Sequence, residues 1–164
     1  MVFQRPDTTL NPRRTIRSAL QRSIKKLGGT TTVEPLAAQV RLGPVQLDTV
    51  PRRLSGGMKQ RAAIARAFAG APSIVVCDEP TSALDPSIQA SILNQLADIS
   101  TDNGTAYLFI SHDLDAVRYI ADRVAVMYRG EIVEEGPVDE VLTSPQHPYT
   151  QMLLASSMDK LVLD

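Results

Sequence analysis

Tryptophan is absent from the 164-residue chain, phenylalanine occurs three times, tyrosine four times and cysteine once. So few rings leave no aromatic residues interleaved with the basic stretch near the N-terminus, where stacking on single-stranded nucleic acid would need them. The single Cys77 cannot form an internal disulfide, and no Cys clusters have metal-ligand spacing, which argues against zinc and iron–sulfur sites. Cys77 therefore reads as a core thiol. The longest apolar runs are strand-sized, far short of the ~20 residues of a bilayer-spanning helix. Neither a signal peptide nor a transit sequence follows Met1, which points to the cytoplasm. The 43% hydrophobic content is that of an ordinary globular domain with a real core.

A net charge of −1 conceals an asymmetry. Residues 1–27 carry Arg5, Arg13, Arg14, Arg17, Arg22, Lys25 and Lys26 against Asp7 alone, and the stretch from Asp113 onward is predominantly acidic. Such a basic segment suits nucleic acid or anionic lipid, and equally a solvated helix face, the reading favoured by the lack of aromatics.

Ile16, Leu20, Ile24 and Leu27 recur at helical spacing after Pro12 and Thr15, and Gly28-Gly29 ends the pattern. The stretch from Gly28 to Pro35 reads as a loop, and Leu36 to Leu47 as short helical pieces, so that the first fifty-odd residues form a small helical subdomain. Ser55 is a good N-cap for a helix over Ala62–Phe68 that stops at Gly70-Pro72. Ser73–Cys77 and Thr105–Ile110 read as buried strands, with a helix between them that starts at Asp85-Pro86 and has Ile88, Ile92, Leu96 and Ile99 along one face. A short helix through Leu114, Val117 and Ile120 follows, then a hairpin of Val124–Tyr128 and Glu131–Glu134 around Arg129-Gly130. Val138–Leu142 and Tyr149–Leu154 are closing helices. Strands alternating with helices predict an α/β sheet.

Two places carry chemistry. The N-terminus of a helix capped by Ser55 and opened by Gly56 and Gly57 is an anion site, because free N–H groups and the positive dipole end face outward and glycine admits a close phosphate. Asp78 and Glu79 put two carboxylates at the C-terminal end of a strand, where open parallel sheets bind ligands; one can hold Mg²⁺ while the next polarises a water. A capped helix and a pair of solvated acids are the plain alternatives, and the order of the segments weighs against them.

In that order, Leu54-Ser55-Gly56-Gly57-Met58-Lys59-Gln60-Arg61, Cys77-Asp78-Glu79-Pro80-Thr81, Ser82-Ala83-Leu84-Asp85 and Ser111-His112-Asp113 resemble the ATPase subunits of ABC transporters. The resemblance runs from Val2 to about Ser156. It implies a P-loop NTPase core, incomplete here, with a helical subdomain at the N-terminus that docks on a membrane-spanning partner. The corresponding parts are residues 1–69 for the Q-loop, helical subdomain and signature helix, 70–136 for the α/β core and 137–164 for a C-terminal helical extension. It further implies ATP and Mg²⁺ as cofactors, Glu79 as the catalytic carboxylate and His112 as the switch histidine against the γ-phosphate. Asp78 and the Q-loop Gln4 fall to the metal, and Gln4, Ser55, Gly56, Gly57, Gln60 and Asp85 to the nucleotide side, Asp85 serving also as a helix cap. Implied partners are a second ATPase subunit, identical or not, and transmembrane permease subunits, at the cytoplasmic face of the inner membrane. Pro145-Gln146-His147-Pro148-Tyr149-Thr150 resembles a run that marks oligopeptide, dipeptide and nickel importers; His147 reads as a turn and packing element.

One expected part is missing from the sequence. No Gly-x-x-x-x-Gly-Lys-Ser/Thr occurs, since Lys25, Lys26, Lys59 and Lys160 are followed by Lys, Leu, Gln and Leu. Together with Met1-Val2-Phe3-Gln4, which resembles an internal Q-loop, this implies the C-terminal part of an ABC ATPase beginning at an internal Met. Such a part is expected to hydrolyse no ATP alone and to expose unpaired strand edges. Two rivals stand beside this reading. One is a non-enzymatic module that lends its signature helix to a partner's site. The other is the nucleic-acid branch of the superfamily, which the short gap from Gln4 to Leu54 and the His147-Pro148-Tyr149 run disfavour.

Overall fold

The computed structural model describes residues 1–6 and 9–158, and the chain divides into two compact units, Met1–Ile110 and Ser111–Asp164. In the first unit, α1 (Ile16–Leu27), α2 (Val33–Gln39) and α3 (Pro44–Leu47) lead through a 3₁₀ turn at Pro51–Arg53 into α4 (Gly56–Phe68). Strand β1 (Ile74–Asp78), helix α5 (Pro86–Asn103) and strand β2 (Ala106–Ile110) complete it. Thr15 caps α1 by accepting the Ser18 N–H at 3.3 Å, and Gly28 ends it at φ 68°, a left-handed turn that a glycine enters without a Cβ clash. The expected loop through Pro35 is corrected: α2 begins at Val33, inside it. Pro35 sits in the first turn, where an N–H has no intrahelical acceptor to lose.

Strands β1 and β2 are parallel, in register from Ile74 opposite Ala106 to Asp78 opposite Ile110, and α5 is the crossover that parallel strands require. On the other side of β1, Val2 forms a parallel bridge to Cys77: its N–H donates to Val76 O at 2.8 Å and its carbonyl accepts the Asp78 N–H at 2.9 Å. The β-branched run Ile74-Val75-Val76 suits a pleated, packed strand, and Val75 and Cys77 are buried with Ile64, Ile92 and Leu96. Burial pushes the Cys77 thiol up to about 12, as expected of an inert core cysteine.

The expectation of a second buried strand fails at β2. The strand forms, but Leu108 is 56% and Ile110 45% exposed, and Ile74 beside them on β1 is 65% exposed. Among the described residues no strand pairs with the outer side of β2, so it is an edge strand with one apolar face uncovered.

In the second unit, Asp113 caps α6 (Leu114–Ile120) by accepting the N–H groups of Asp115 and Ala116 at 3.0 and 3.1 Å. β3 (Arg123–Tyr128) and β4 (Glu131–Pro137) make the expected antiparallel hairpin, with a register shift at Val126/Met127. Arg129 and Gly130 both have positive φ, 51° and 88°, the geometry of a two-residue hairpin turn whose twist matches its strands. α7 (Val138–Thr143) and α8 (Pro148–Met158) are the closing helices, and Val117, Val126, Val138, Val141 and Leu142 are buried in this unit.

Candidate functional site

The sheet of the first unit gathers its chemistry at one end. Asp78 is the last residue of β1, and Glu79 follows at φ 48° with its N–H donating to Ile110 O at 2.9 Å. A left-handed conformation costs a non-glycine residue roughly 1–3 kcal/mol and persists only where the surroundings impose it. Here the bond to β2 imposes it from one side. From the other, Ser82 Oγ donates to Glu79 O at 3.2 Å and closes the turn. Glu79 Oε2 is buried, and Thr81 is 2% exposed. Because Val2 runs parallel to β1, Gln4 emerges at this same end and is exposed. The bridge thus directs the segment that carries Gln4 toward the end of β1 that carries Asp78 and Glu79.

Hard oxygen donors of this kind, two carboxylates and an amide, fit Mg²⁺. No group of three or more His, Cys, Asp or Glu side chains gathers for a metal among the described residues. That donor set suits an ion that keeps waters and takes phosphate oxygens as its remaining ligands, and not a structural metal held by protein alone.

The turn before α4 is built as expected. Ser55 sits at φ −65° and ψ 163°, and its Oγ accepts the Met58 N–H at 3.3 Å. That leaves the N–H groups of Gly56 and Gly57 without an intrahelical acceptor, at the positive end of a 13-residue helix. Packing also calls for glycine at position 57, where a Cβ would lie 2.7 Å from Ile88 Cγ2; a Cβ on Gly56 would lie 3.6 Å from Leu84, an ordinary contact. The Ser55 turn therefore rests on the start of α5, next to Asp85. Asp85 holds the N-cap position of α5 through its backbone, accepting the Gln89 N–H at 2.9 Å, while its exposed side chain makes no cap bond.

Gln60 is placed differently from its neighbours. It is 1% exposed, and its Nε2 donates to Phe3 O at 3.4 Å, tying α4 to the segment that carries Gln4. His112 is exposed and belongs to the second unit, in a turn where Ser111 Oγ accepts the Asp113 N–H at 3.0 Å. His147 precedes α8, its carbonyl accepting the Gln151 N–H and its Nδ1 the Tyr149 N–H, both at 3.1 Å. Sequence reasoning missed Arg61 and Gln95, whose hydrogen bonds join three helices. The signal was available in Gln95, a polar residue on the otherwise apolar face of Ile92, Leu96 and Ile99.

The family model described as ABC transporter matches residues 1–82, and one described as oligopeptide/dipeptide transporter, C-terminal region, matches residues 133–160. The chain belongs to the ABC transporter family. Among curated relatives of this ABC chain, the probable D,D-dipeptide transport ATP-binding protein DdpF of Escherichia coli is 48% identical over 95% of the chain and 53% of its own length. The oligopeptide transport ATP-binding protein OppF of Bacillus subtilis is 43% identical over the same shares. The ABC chain thus spans about half the length of the curated relatives it matches. Its fold is that of solved ABC cassettes. CbiO1 of Clostridium perfringens, part of the ABC transporter complex cbiONQ, superposes with a TM-score of 0.75 at 25% identity over 98% of this chain and 65% of its own. The dimeric cassette MJ0796 bound to ADP and Pi gives 0.66 at 28% identity, over 84% and 62%. No helix among the described residues is long and apolar enough to cross a membrane.

Proposed function

We propose that this chain carries the signature, magnesium-side and switch parts of an ATP-hydrolysing subunit that energises peptide import. The observation that carries the proposal is the pairing of two structures within one unit: a Ser55-capped helix start with open glycine N–H groups, and a strained Glu79 beside Asp78 at the end of a parallel strand. In this reading Asp78 and Gln4 hold Mg²⁺, directly or through water. Glu79 accepts a proton from the attacking water, and its left-handed backbone fixes where the carboxylate points. His112 takes the role of the switch histidine that contacts a terminal phosphate. Bound Mg-ATP supplies the phosphoryl group and the charge that these side chains balance. Ser55, Gly56 and Gly57 offer a hydroxyl and backbone N–H groups to a phosphate held by a second cassette, and Asp85 faces that partner. The dimeric MJ0796 cassette supports such an arrangement by analogy.

Import of peptides is favoured by the relatives' names, which specify oligopeptide, dipeptide and D,D-dipeptide transport, and by the match over residues 133–160. The helical part containing α1 to α3 would dock on transmembrane permease subunits, at the cytoplasmic face of the membrane. A second reading is a non-enzymatic module that lends the Ser55 turn to a partner's site; the open glycine N–H groups at the start of α4 suit it as well. One experiment separates the two. Joined to a cassette segment carrying that loop, the chain should release phosphate from Mg-ATP, and Glu79→Gln should stop release while leaving nucleotide bound. Tight binding without any release by the unsubstituted fusion would overturn the enzymatic reading in favour of the module.

A further inference from the structure

Three helices of the first unit meet at one guanidinium. Arg61, in the second turn of α4, donates from Nη2 to Ser91 Oγ on α5 at 2.9 Å and from Nη1 to Gln95 Oε1 at 3.2 Å. The same Nη1 donates to Val40 O, at the end of α2, at 3.1 Å. Gln95, 1% exposed, completes the set by donating from Nε2 to Gln39 O at 3.0 Å. The last carbonyls of a helix have no intrahelical donor. At the end of α2, Ala37 O and Ala38 O accept backbone N–H groups of Val40, Leu42 and Arg41, while Gln39 O and Val40 O accept side chains from α5 and α4.

We infer that Arg61 is a positioning residue that makes the Ser55 turn, the Asp85 turn and the end of α2 one mechanical body. Arg61 lies little more than one turn beyond Gly57, and Ser91 and Gln95 lie one and two turns into α5. Two anchors therefore fix α4 on α5: the contact of Gly57 with Ile88 near the helix starts, and the Arg61 network one turn deeper. Two separated anchors prevent both sliding and rotation, so the glycine N–H groups at the start of α4 and the exposed Asp85 keep a fixed spacing. The bonds to Gln39 and Val40 add α2 to the same body, so a force on α2 reaches both turns without passing through β1. A lysine cannot replace this arrangement, because its single ammonium lacks the planar fork that serves three acceptors at once. Desolvation lowers the Arg61 pKa, with Arg41 adding repulsion, but a guanidinium remains charged, and its five donors explain why a cation is retained at a partly buried junction.

The functional half of this inference rests on the proposed role of the Ser55 turn; the mechanical half does not. Native-state hydrogen exchange on the full 164-residue chain, without nucleotide, tests the mechanical half. In Arg61→Met, amides at the end of α2, at Lys59–Gln60 in α4 and at Gln89–Ser91 in α5 should all exchange faster by a similar factor of about ten, while Val75–Cys77 in β1 stay protected. Arg61→Lys should recover only part of that protection, and Arg61→Met with Gln95→Met should exchange no faster than the worse single variant, as members of one network do. A rise confined to α2, or an equal rise in β1, would overturn the inference. Should Arg61→Met not fold, Ser91→Ala removes a single bond and should loosen α4 and α5 together; a change in α5 alone would count against it. A failure of phosphate release in the fusion described above would strike the function and leave this result standing.

Discussion

Arg17 on α1 and Asp48 just after α3 meet through two parallel bonds, Nε to Oδ1 at 2.7 Å and Nη2 to Oδ2 at 3.3 Å. The remaining Nη1 reaches Glu34 Oε1 on α2 at 2.5 Å, so one side chain spans the three small helices of the N-terminal part. The Arg17 bonds hold the Asp48 carboxyl below its usual range, and Glu34 is lowered by its own backbone N–H and then by Arg17. Depressed folded-state values add stability above the unfolded range of ~4, and that stability is lost as pH falls through the folded values. Thermal melts should therefore show the wild type losing more stability than Arg17→Gln between pH 7 and ~pH 2. At pH 7 Arg17→Gln should melt lower by about 1–3 °C, a small effect because the groups are solvated. Identical acid sensitivity in both proteins would remove the staple from the account.

Gly57→Ala sets helix propensity against packing. Alanine is better than glycine in a helix by ~1 kcal/mol, but its Cβ would lie 2.7 Å from Ile88 Cγ2, a short branched group that cannot swing away. Overpacking costs about 1–3 kcal/mol, so the variant should be less stable in urea. Removing the obstacle in Gly57→Ala with Ile88→Ala should recover most of the loss. No recovery would mean that Gly57 serves only the ligand side of the turn.

Mg-ATP should bind the 164-residue chain weakly. Each charge-assisted hydrogen bond contributes ~1.5–3 kcal/mol, and a site that lacks several such phosphate donors should bind about a thousandfold more weakly or worse. Isothermal calorimetry measures this directly, and a micromolar Kd would mean that the residues present suffice. In the fusion carrying the phosphate loop, Glu79→Gln should lower turnover by about 10²–10⁴-fold. Retained turnover would transfer the role of base to Asp78 or to a residue elsewhere.

The proline-rich turn before α8 is pinned to the hairpin by a carboxylate. Glu134 Oε1 accepts the Gln146 N–H at 2.8 Å and Oε2 the His147 N–H at 3.1 Å, and the Tyr149 ring stacks on Tyr128 at 4.2 Å. The bond from Gln146 is the main reason the Glu134 carboxyl is held below its ordinary range. Glu134→Gln should therefore speed exchange of the Gln146 and His147 amides severalfold at pH 7, and the two proteins should converge as pH falls below ~4, where the wild-type carboxylate is protonated. Tyr149→Ala should release α8 further, by about 0.5–1.5 kcal/mol beyond the buried area. Protection unchanged in both variants would leave α8 held by something else.

Most elements were legible because their signals are local. Thr15 and Gly28 bracket α1, Ser55 opens α4, and Arg129-Gly130 turns the hairpin, each through chemistry confined to a few residues. The order of Ser55-Gly56-Gly57, Asp78-Glu79 and Ser111-His112 was legible for the same reason. What escaped was relational. An unpaired strand edge was expected, but which side chains of Ala106–Ile110 stay uncovered was not legible, because burial depends on what lies beside the strand. Arg17 reads as part of a solvated basic face, and Arg61 carries no role of its own, until Asp48, Glu34, Ser91 and Gln95 arrive from distant parts of the chain. The Gly- and Thr-rich composition of Gly28–Pro35 misled, because Thr32 serves as the boundary of α2 and Pro35 falls in its first turn, where a proline is tolerated.

The bridge from Val2 to Cys77 has a kinetic meaning. Val2 and Cys77 lie on either side of α1 to α4 in the chain, so their pairing is a contact remote in sequence, unlike the local contacts within those helices. Closing so large a loop carries an entropic cost that grows with the logarithm of its length, and contacts remote in sequence fold late. The pairing that carries the Gln4 segment to β1, whose end holds Asp78 and Glu79, is therefore expected to form after the local contacts of α1 to α4.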